Sequence, residues 1–414
     1  MPKLVTMLSH LPFLHFVSDR NLRLLYTVRV IKDLLNRITL FFLPIFIFVM
    51  GYDGLLLGTT YLTALQRGMV LLALYFIINR IVVLVTAVPI GKIIYKVGFS
   101  RAMIYSYLLR LISFAALMYS QQFPWLLLVA TVFEALQSNF FWNTFFTILT
   151  NQSVKTEIGS NLGGLQLMLQ LVTAISPALA GFVALQFGFG ALFLIGIGLL
   201  LISMIFIMQM DIHMIHDQVS WTGFWQWFDQ KSLGNHHLSI IGRYINDVAL
   251  FIWPLYVFLL LGSIDKVGFL YTISLFIAMI LTFFISMYLD KTKNRKPFFF
   301  SGGVMSMIWI ARTQVFTIWG IALVDIMERL TANYHWLFYD MVFIRGGRGE
   351  HAFSYFVYRE MVMSIGAIIF WGSLVAFFAV TTSWNAIFIF GGISVLLSLL
   401  LMTGKHGKQL LAAR

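Results

Sequence analysis

Almost the entire chain is divided into apolar runs of about twenty residues or more, separated by short polar connections. A run of that length rises about 30 Å as a helix, which matches the hydrocarbon thickness of a bilayer. Inside lipid the backbone must satisfy its own hydrogen bonds, so each run is expected to be an α-helix. The runs predict twelve spanning helices, at about 24–50, 68–90, 102–120, 124–149, 160–185, 188–209, 239–261, 267–289, 297–315, 317–344, 354–380 and 384–404. Arg29, Lys32, Asp33 and Arg37 crowd the first of these, yet Ile38 to Met50 is too short to span alone, so 24–50 reads as one helix. Only 11% of the 414 residues are charged, against about 25% in a soluble chain.

The net charge of +12 raises the question of nucleic acid, which its distribution argues against. Basic residues gather in alternate connections: Lys92, Lys96 and Arg101, then Lys155, then Lys291, Lys293, Arg295 and Lys296, then Arg345 and Arg348, then Lys405 and Lys408. The opposite connections carry little. Lysine and arginine mark the cytoplasmic side, so both termini are expected inside, which an even number of spans also requires. The expected home is the cytoplasmic membrane. Residues 1–23 read as a cytoplasmic or interfacial segment without a cleaved signal. The stretch 211–238 reads as a cytoplasmic linker between bundles spanning 24–210 and 239–404, and 405–414 as a tail. Its His213 and His216 have helical metal-ligand spacing, but no cysteine or carboxylate completes a set. No cofactor is expected.

Two stretches 194 positions apart share a pattern: Glu134, Leu136, Asn139, Phe140 and Trp142, and Glu328, Leu330, Asn333, Tyr334 and Trp336. A shift of 210 overlays Asn36 through Pro44 on Asn246 through Pro254, which puts Arg37 over Asp247. An intramembrane carboxylate costs roughly 2.5–3.5 kcal/mol on insertion scales. One that recurs at equivalent places implies duplicated bundles with polar groups turned inward. The prediction is an all-α integral membrane protein, its twelve transmembrane helices forming two pseudo-symmetric six-helix bundles. Helical spacing gathers Glu134, Gln137, Ser138 and Trp142 on one face, and Glu328, Thr331, Ala332 and Trp336 on the other. With Asn139, Asn246 and Asn333 these supply the expected substrate-binding groups; the bland alternative is helix-packing hydrogen bonds. Glu134, Asp247 and Glu328 are the candidate proton carriers, because a carboxyl in lipid tends toward its uncharged form. Asp33 and Arg37 pair at i, i+4, and Arg329 lies within reach of Asp325. Arg80 and Arg110 are both candidate partners for Glu134. Arg359 and Glu360 read as an interfacial ion pair.

The loop with Gly91, Lys96, Gly98 and Arg101, and its second-half counterpart with Asp290 and Lys291, resembles the gating loop of the major facilitator superfamily, although Tyr95 stands where that family has an acid. Ser176, Pro177, Ala180 and Gly181 are similar to the family's antiporter motif, with small residues replacing two glycines. The resemblance implies a monomeric secondary transporter of a small organic molecule, working by alternating access and coupled to protons. Export is preferred for the Pro177 segment and the aromatic load near the cavity. Uptake of a polar metabolite is the alternative, served equally by the three asparagines. A lipid-handling protein or a non-transporting receptor is a further alternative. An enzyme would need a clustered His/Asp set, for which only the linker histidines are candidates.

Overall fold

The computed structural model describes residues 20–56, 61–152, 158–210, 212, 217–289, 296–347 and 349–403. Asp290, Lys291, His213 and His216 lie outside them, as do residues 1–19 of the expected N-terminal segment and the tail 405–414, while residues 20–23 belong to the first helix. Among the described residues the chain is helical throughout, without strands. In order the helices are α1 (Arg20–Thr39), α2 (Leu43–Tyr52), α3 (Ala64–Val97), α4 (Phe99–Tyr119), α5 (Leu126–Gln152), α6 (Ile158–Ile207), α7 (Trp221–Phe228), α8 (Gly234–Leu261), α9 (Ile264–Leu289), α10 (Lys296–Ala311), α11 (Ile318–Gly346), α12 (Ala352–Val380) and α13 (Asn385–Ser398).

These elements account for the twelve predicted runs, with three departures. The first run is two helices, not one, broken at residues 40–42. Pro44 has no N–H to offer the Leu40 carbonyl and instead starts α2, where a missing donor costs nothing. The equivalent Pro254 leaves α8 continuous. The fifth and sixth runs form α6, which is interrupted at Gly188, where φ is 77°; only glycine takes that left-handed turn freely. The seventh run, α8, starts at Gly234, ahead of the expected 239, and His236 and His237 are packed into it. His237 stacks on Phe228 at 5.3 Å, and His236 Nε2 lies 3.0 Å from the Tyr355 hydroxyl.

Among the described residues, seven helical stretches qualify as membrane spans by length and composition. Helices α5 and α11, which carry the repeated Glu–Asn–Trp pattern, are not among them, because that pattern brings polar residues into mid-helix. The chain is an all-α, multi-pass membrane protein. In the first half α1 packs on α6 and α4 on α5; in the second, α8 and α10 pack on α13. The halves meet along α3 with α12 and along α6 with α9. The connection between them is fastened to α12. The Asp217 carboxylate accepts the Ser354 N–H at 2.6 Å, capping that helix's positive end, and the Tyr358 hydroxyl donates to the Ser220 carbonyl at 3.2 Å.

Candidate functional site

Between the halves lies a cavity of about 560 Å³, within the range that holds small molecules. Helix α1 supplies Arg29, Lys32 and Asn36, spaced so that one face of the helix lines the wall. Helix α3 adds Asn79 and Arg80, α4 adds Arg110, and α5 adds Glu134, Gln137, Ser138 and Trp142. The second half closes the other side with Arg243 and Asp247 of α8, Asp340 of α11, and Arg359 and Glu360 of α12. A smaller cavity of about 280 Å³ shares Arg29, Arg243 and Asp340 with it and is also lined by Asp33, Arg37, Arg329, Asn333 and Trp336.

Burial among helices dictates how these charges are arranged, since an isolated ion at such depth is unfavourable. Glu134 is ion-paired with Arg110, which also donates to Asn36 Oδ1 at 2.9 Å. Gln137 donates to Glu134 at 3.0 Å and accepts from Lys32 Nζ at 3.1 Å. Asp247 pairs with Arg243 one turn earlier, at 3.2 Å, and that guanidinium lies 3.9 Å from the centre of the Trp336 ring. Asp33 sits between Arg29 at 3.7 Å and Arg37 at 3.6 Å. Glu360 bridges the halves, 3.5 Å from Arg359 and 4.0 Å from Arg80 of α3. Aromatic contacts join the halves beside it: Phe76 stacks on Trp371 at 4.9 Å, and Phe146 on Phe356 at 5.4 Å.

The two repeated faces are not used alike. Glu134, Gln137, Ser138 and Trp142 all line the larger cavity, whereas Ala332, Asn333 and Trp336 line the smaller one. Glu328 and Thr331 line neither. The Thr331 hydroxyl donates back to the Glu328 carbonyl at 2.9 Å. Glu328 is buried in the second half, with Arg312, Arg329, Asp325 and Arg243 as its charged neighbours. In that cluster Asp325 lies 3.6 Å from the fully buried Arg312 and accepts the Trp253 indole N–H at 2.7 Å. Glu328 and Thr331, counted among the expected site groups, thus stand away from both cavities, Glu328 within an ion cluster inside the second half. Two asparagines also point away from the cavities. Asn139 donates to the Val83 carbonyl at 2.9 Å and to Thr86 at 3.0 Å, tying α5 to α3. Asn246 accepts the Trp309 indole N–H at 3.0 Å. Asn36 and Asn246, overlaid by the repeat, thus both accept from the third predicted run of their own half, on α4 and α10.

At the linker end, a Cβ on Gly91 would lie 2.5 Å from Val219 and 3.8 Å from Phe353, so its bare backbone lets α3 approach α12 and the linker. Gly98 has φ 85° and makes the turn into α4, while Lys96 and Arg101 are exposed. Sequence reading did not single out Arg29, Lys32, Arg243 and Asp340 as site residues, and it set the Arg359–Glu360 pair at the interface. The signal available was spacing: positions 29, 32 and 36, and 243 and 247, recur at helical intervals on charged faces.

Comparison with known proteins agrees with this architecture. A structure of the D-xylose-proton symporter has a TM-score of 0.66 at 12% identity, over 94% of this chain and 99% of that one. The fucose:proton symporter FucP of E. coli has a TM-score of 0.61 at 12% identity, over 94% of this chain and 98% of that one. At that identity the likeness is one of fold. No curated protein sequence matches the chain significantly. The family model described as Major Facilitator Superfamily matches residues 65–324, well over half of the sequence. The chain therefore belongs to the Major Facilitator Superfamily, a family of membrane transporters.

Proposed function

We propose that this transporter carries a small polar molecule through the cavity between its halves, with movement of the solute coupled to that of protons. The observation that carries the reading is the cavity itself: charged and amide side chains from both halves converge on one small-molecule-sized space. Rocking of the halves about such a space would expose it to each side in turn. Glu134 is the proposed proton carrier. It lies on the cavity wall, its side chain is 21% exposed, and its partner Arg110 has Asn36 as a second acceptor. Protonation of Glu134 would release Arg110 to Asn36 alone, and a change of partner of that kind can bias one arrangement of the halves over the other. Asp247 is the second candidate. Glu328 is the third, acting from within the second-half cluster.

On direction, the export expectation leaned on the segment around Pro177 and on the aromatic load near the cavity. That segment has a packing role: the Pro177 carbonyl would lie 2.3 Å from a Cβ on Gly268, and the Ala178 N–H donates to Thr272 at 3.0 Å. The named structural neighbours are proton symporters, which supports movement of solute and proton in the same direction, that is, uptake. The cytoplasmic membrane, with both termini inside, is the proposed setting, and the monomer the proposed working unit.

The test uses purified protein in proteoliposomes and a compound that stabilises it. An inward proton gradient should drive accumulation of that compound, and an outward gradient should not. Glu134→Gln should abolish gradient-driven accumulation while leaving counterflow exchange measurable. Wild-type gradient dependence in that variant would remove Glu134 from the role and leave Asp247 as the leading candidate.

A further inference from the structure

We propose that the solute carried through the larger cavity is a small organic anion, whose carboxylate or phosphate group is held at Lys32. This deepens the transporter reading and rests on it. The wall of the cavity carries six cationic side chains, Arg29, Lys32, Arg80, Arg110, Arg243 and Arg359, against the four carboxylates Glu134, Asp247, Asp340 and Glu360. Three of the four carboxylates are ion-paired with arginines. Glu134 has Arg110, Asp247 has Arg243, and Glu360 is shared between Arg80 and Arg359. Asp340 has Arg243, Arg359 and Arg29 as its charged neighbours.

Lys32 differs from every other cation on that wall. It is 2% exposed, and among the described residues no carboxylate oxygen lies within 4.0 Å of its ammonium. The like-charged Arg110 and Arg29 lie near it, and the Glu134 carboxylate is joined to it only through Gln137. What it touches is neutral: the Gln137 amide oxygen at 3.1 Å and the face of Phe141, 3.7 Å from the ring centre. An ammonium has three donors, and a buried charge is held stably only when it is paired and hydrogen-bonded. An acidic group on the solute would supply the missing counter-charge through a short, charge-assisted hydrogen bond. Arg29 lies one turn away on the same face of α1 and would share that group. The carbon skeleton would then lie against Trp142, Phe76 and Trp371.

The same geometry links solute to proton. Lys32 donates to Gln137, Gln137 donates to Glu134, and Glu134 pairs with Arg110. An anion that draws the ammonium away from Gln137 alters the hydrogen bonding of the proposed proton carrier two links away.

The experiment is a thermal-shift screen of the full-length purified protein. The panel comprises small carboxylates and phosphates, each beside neutral and cationic compounds of the same skeleton: gluconate and glucose 6-phosphate with glucose and glucosamine, succinate with succinamide and putrescine. Stabilisation by about 2 °C or more is expected only in the anionic arms, and the stronger of those two arms identifies carboxylate or phosphate as the recognised group. Lys32→Gln should weaken the apparent affinity by about tenfold or more, and Lys32→Arg should retain most of it. Stabilisation by neutral or cationic members, an anionic response unchanged in Lys32→Gln, or no anionic response at all would each overturn the assignment. Transport separates the two readings. A neutral compound that binds and is carried into proteoliposomes removes the anion and keeps the transporter. An anion that binds through Lys32 but is not carried does the reverse.

Discussion

Arg110 is 1% exposed, yet its charge is answered by a glutamate on the cavity wall and an asparagine of α1. Removing one partner of a buried pair costs about 3–5 kcal/mol, whereas replacing both with apolar groups of similar volume is often close to neutral. Arg110→Met is therefore expected to lower the unfolding temperature. Because Glu134 is partly solvated, the loss should fall near the bottom of that range. The double variant Arg110→Met/Glu134→Leu should recover most of it. Additive losses in a double-mutant cycle would mean that the two side chains are energetically independent. At this scale the sequence was informative about Glu134, whose position in a long apolar run marks it as expensive and therefore partnered. It could not choose between Arg80 and Arg110 as that partner. Spacing along a helix fixes which residues share a face, but not which neighbouring helix that face meets. Arg80 in fact reaches across to Glu360 of the other half.

Among helices, the contact between α6 and α9 depends on small residues. A Cβ on Gly268 would lie 2.3 Å from the Pro177 carbonyl, and one on Gly181 would lie 3.2 Å from the Ile264 carbonyl. Backbone on backbone cannot give way as a flexible side chain can. Gly268→Val should force the two halves apart along this line and destabilise the protein by about 1–3 kcal/mol, read as a lowered unfolding temperature. A second prediction uses the same contact. The chain has no cysteine, and the Ala178 N–H lies 3.0 Å from the Thr272 hydroxyl. The pair Ala178→Cys/Thr272→Cys should cross-link under mild oxidation, stop transport, and recover it on reduction. Undiminished transport in the cross-linked protein would show that this line of contact does not part during the cycle. The residues in and around Pro177 were legible as a packing motif, but their partner was not, since it lies in the other half of the chain.

For the molecule as a whole, the twelve-run pattern and the repeat were enough to read the fold, because lipid leaves helices few alternatives and duplication relates the halves. The break at residues 40–42, the Asp325–Arg312 cluster and the unequal use of the two repeated faces were not legible. Each depends on how helices are rotated against one another. Sidedness also belongs to this scale. The described residues put Lys92, Lys96 and Arg101 at the end where the linker crosses, while the turn at Gln121 to Pro124 at the other end has no basic residue. On that asymmetry we propose that the linker end faces the cytoplasm. In intact cells, Gln122→Cys and Phe123→Cys, both at exposed positions, should react with an impermeant maleimide. Lys96→Cys and Trp225→Cys, exposed at the linker end, should react only after the membrane is permeabilised. The contrast does not depend on the state of the cavity, since none of the four positions lines it. The reverse labelling pattern would invert the protein in the membrane, and the gradient that drives accumulation in oriented vesicles would invert with it.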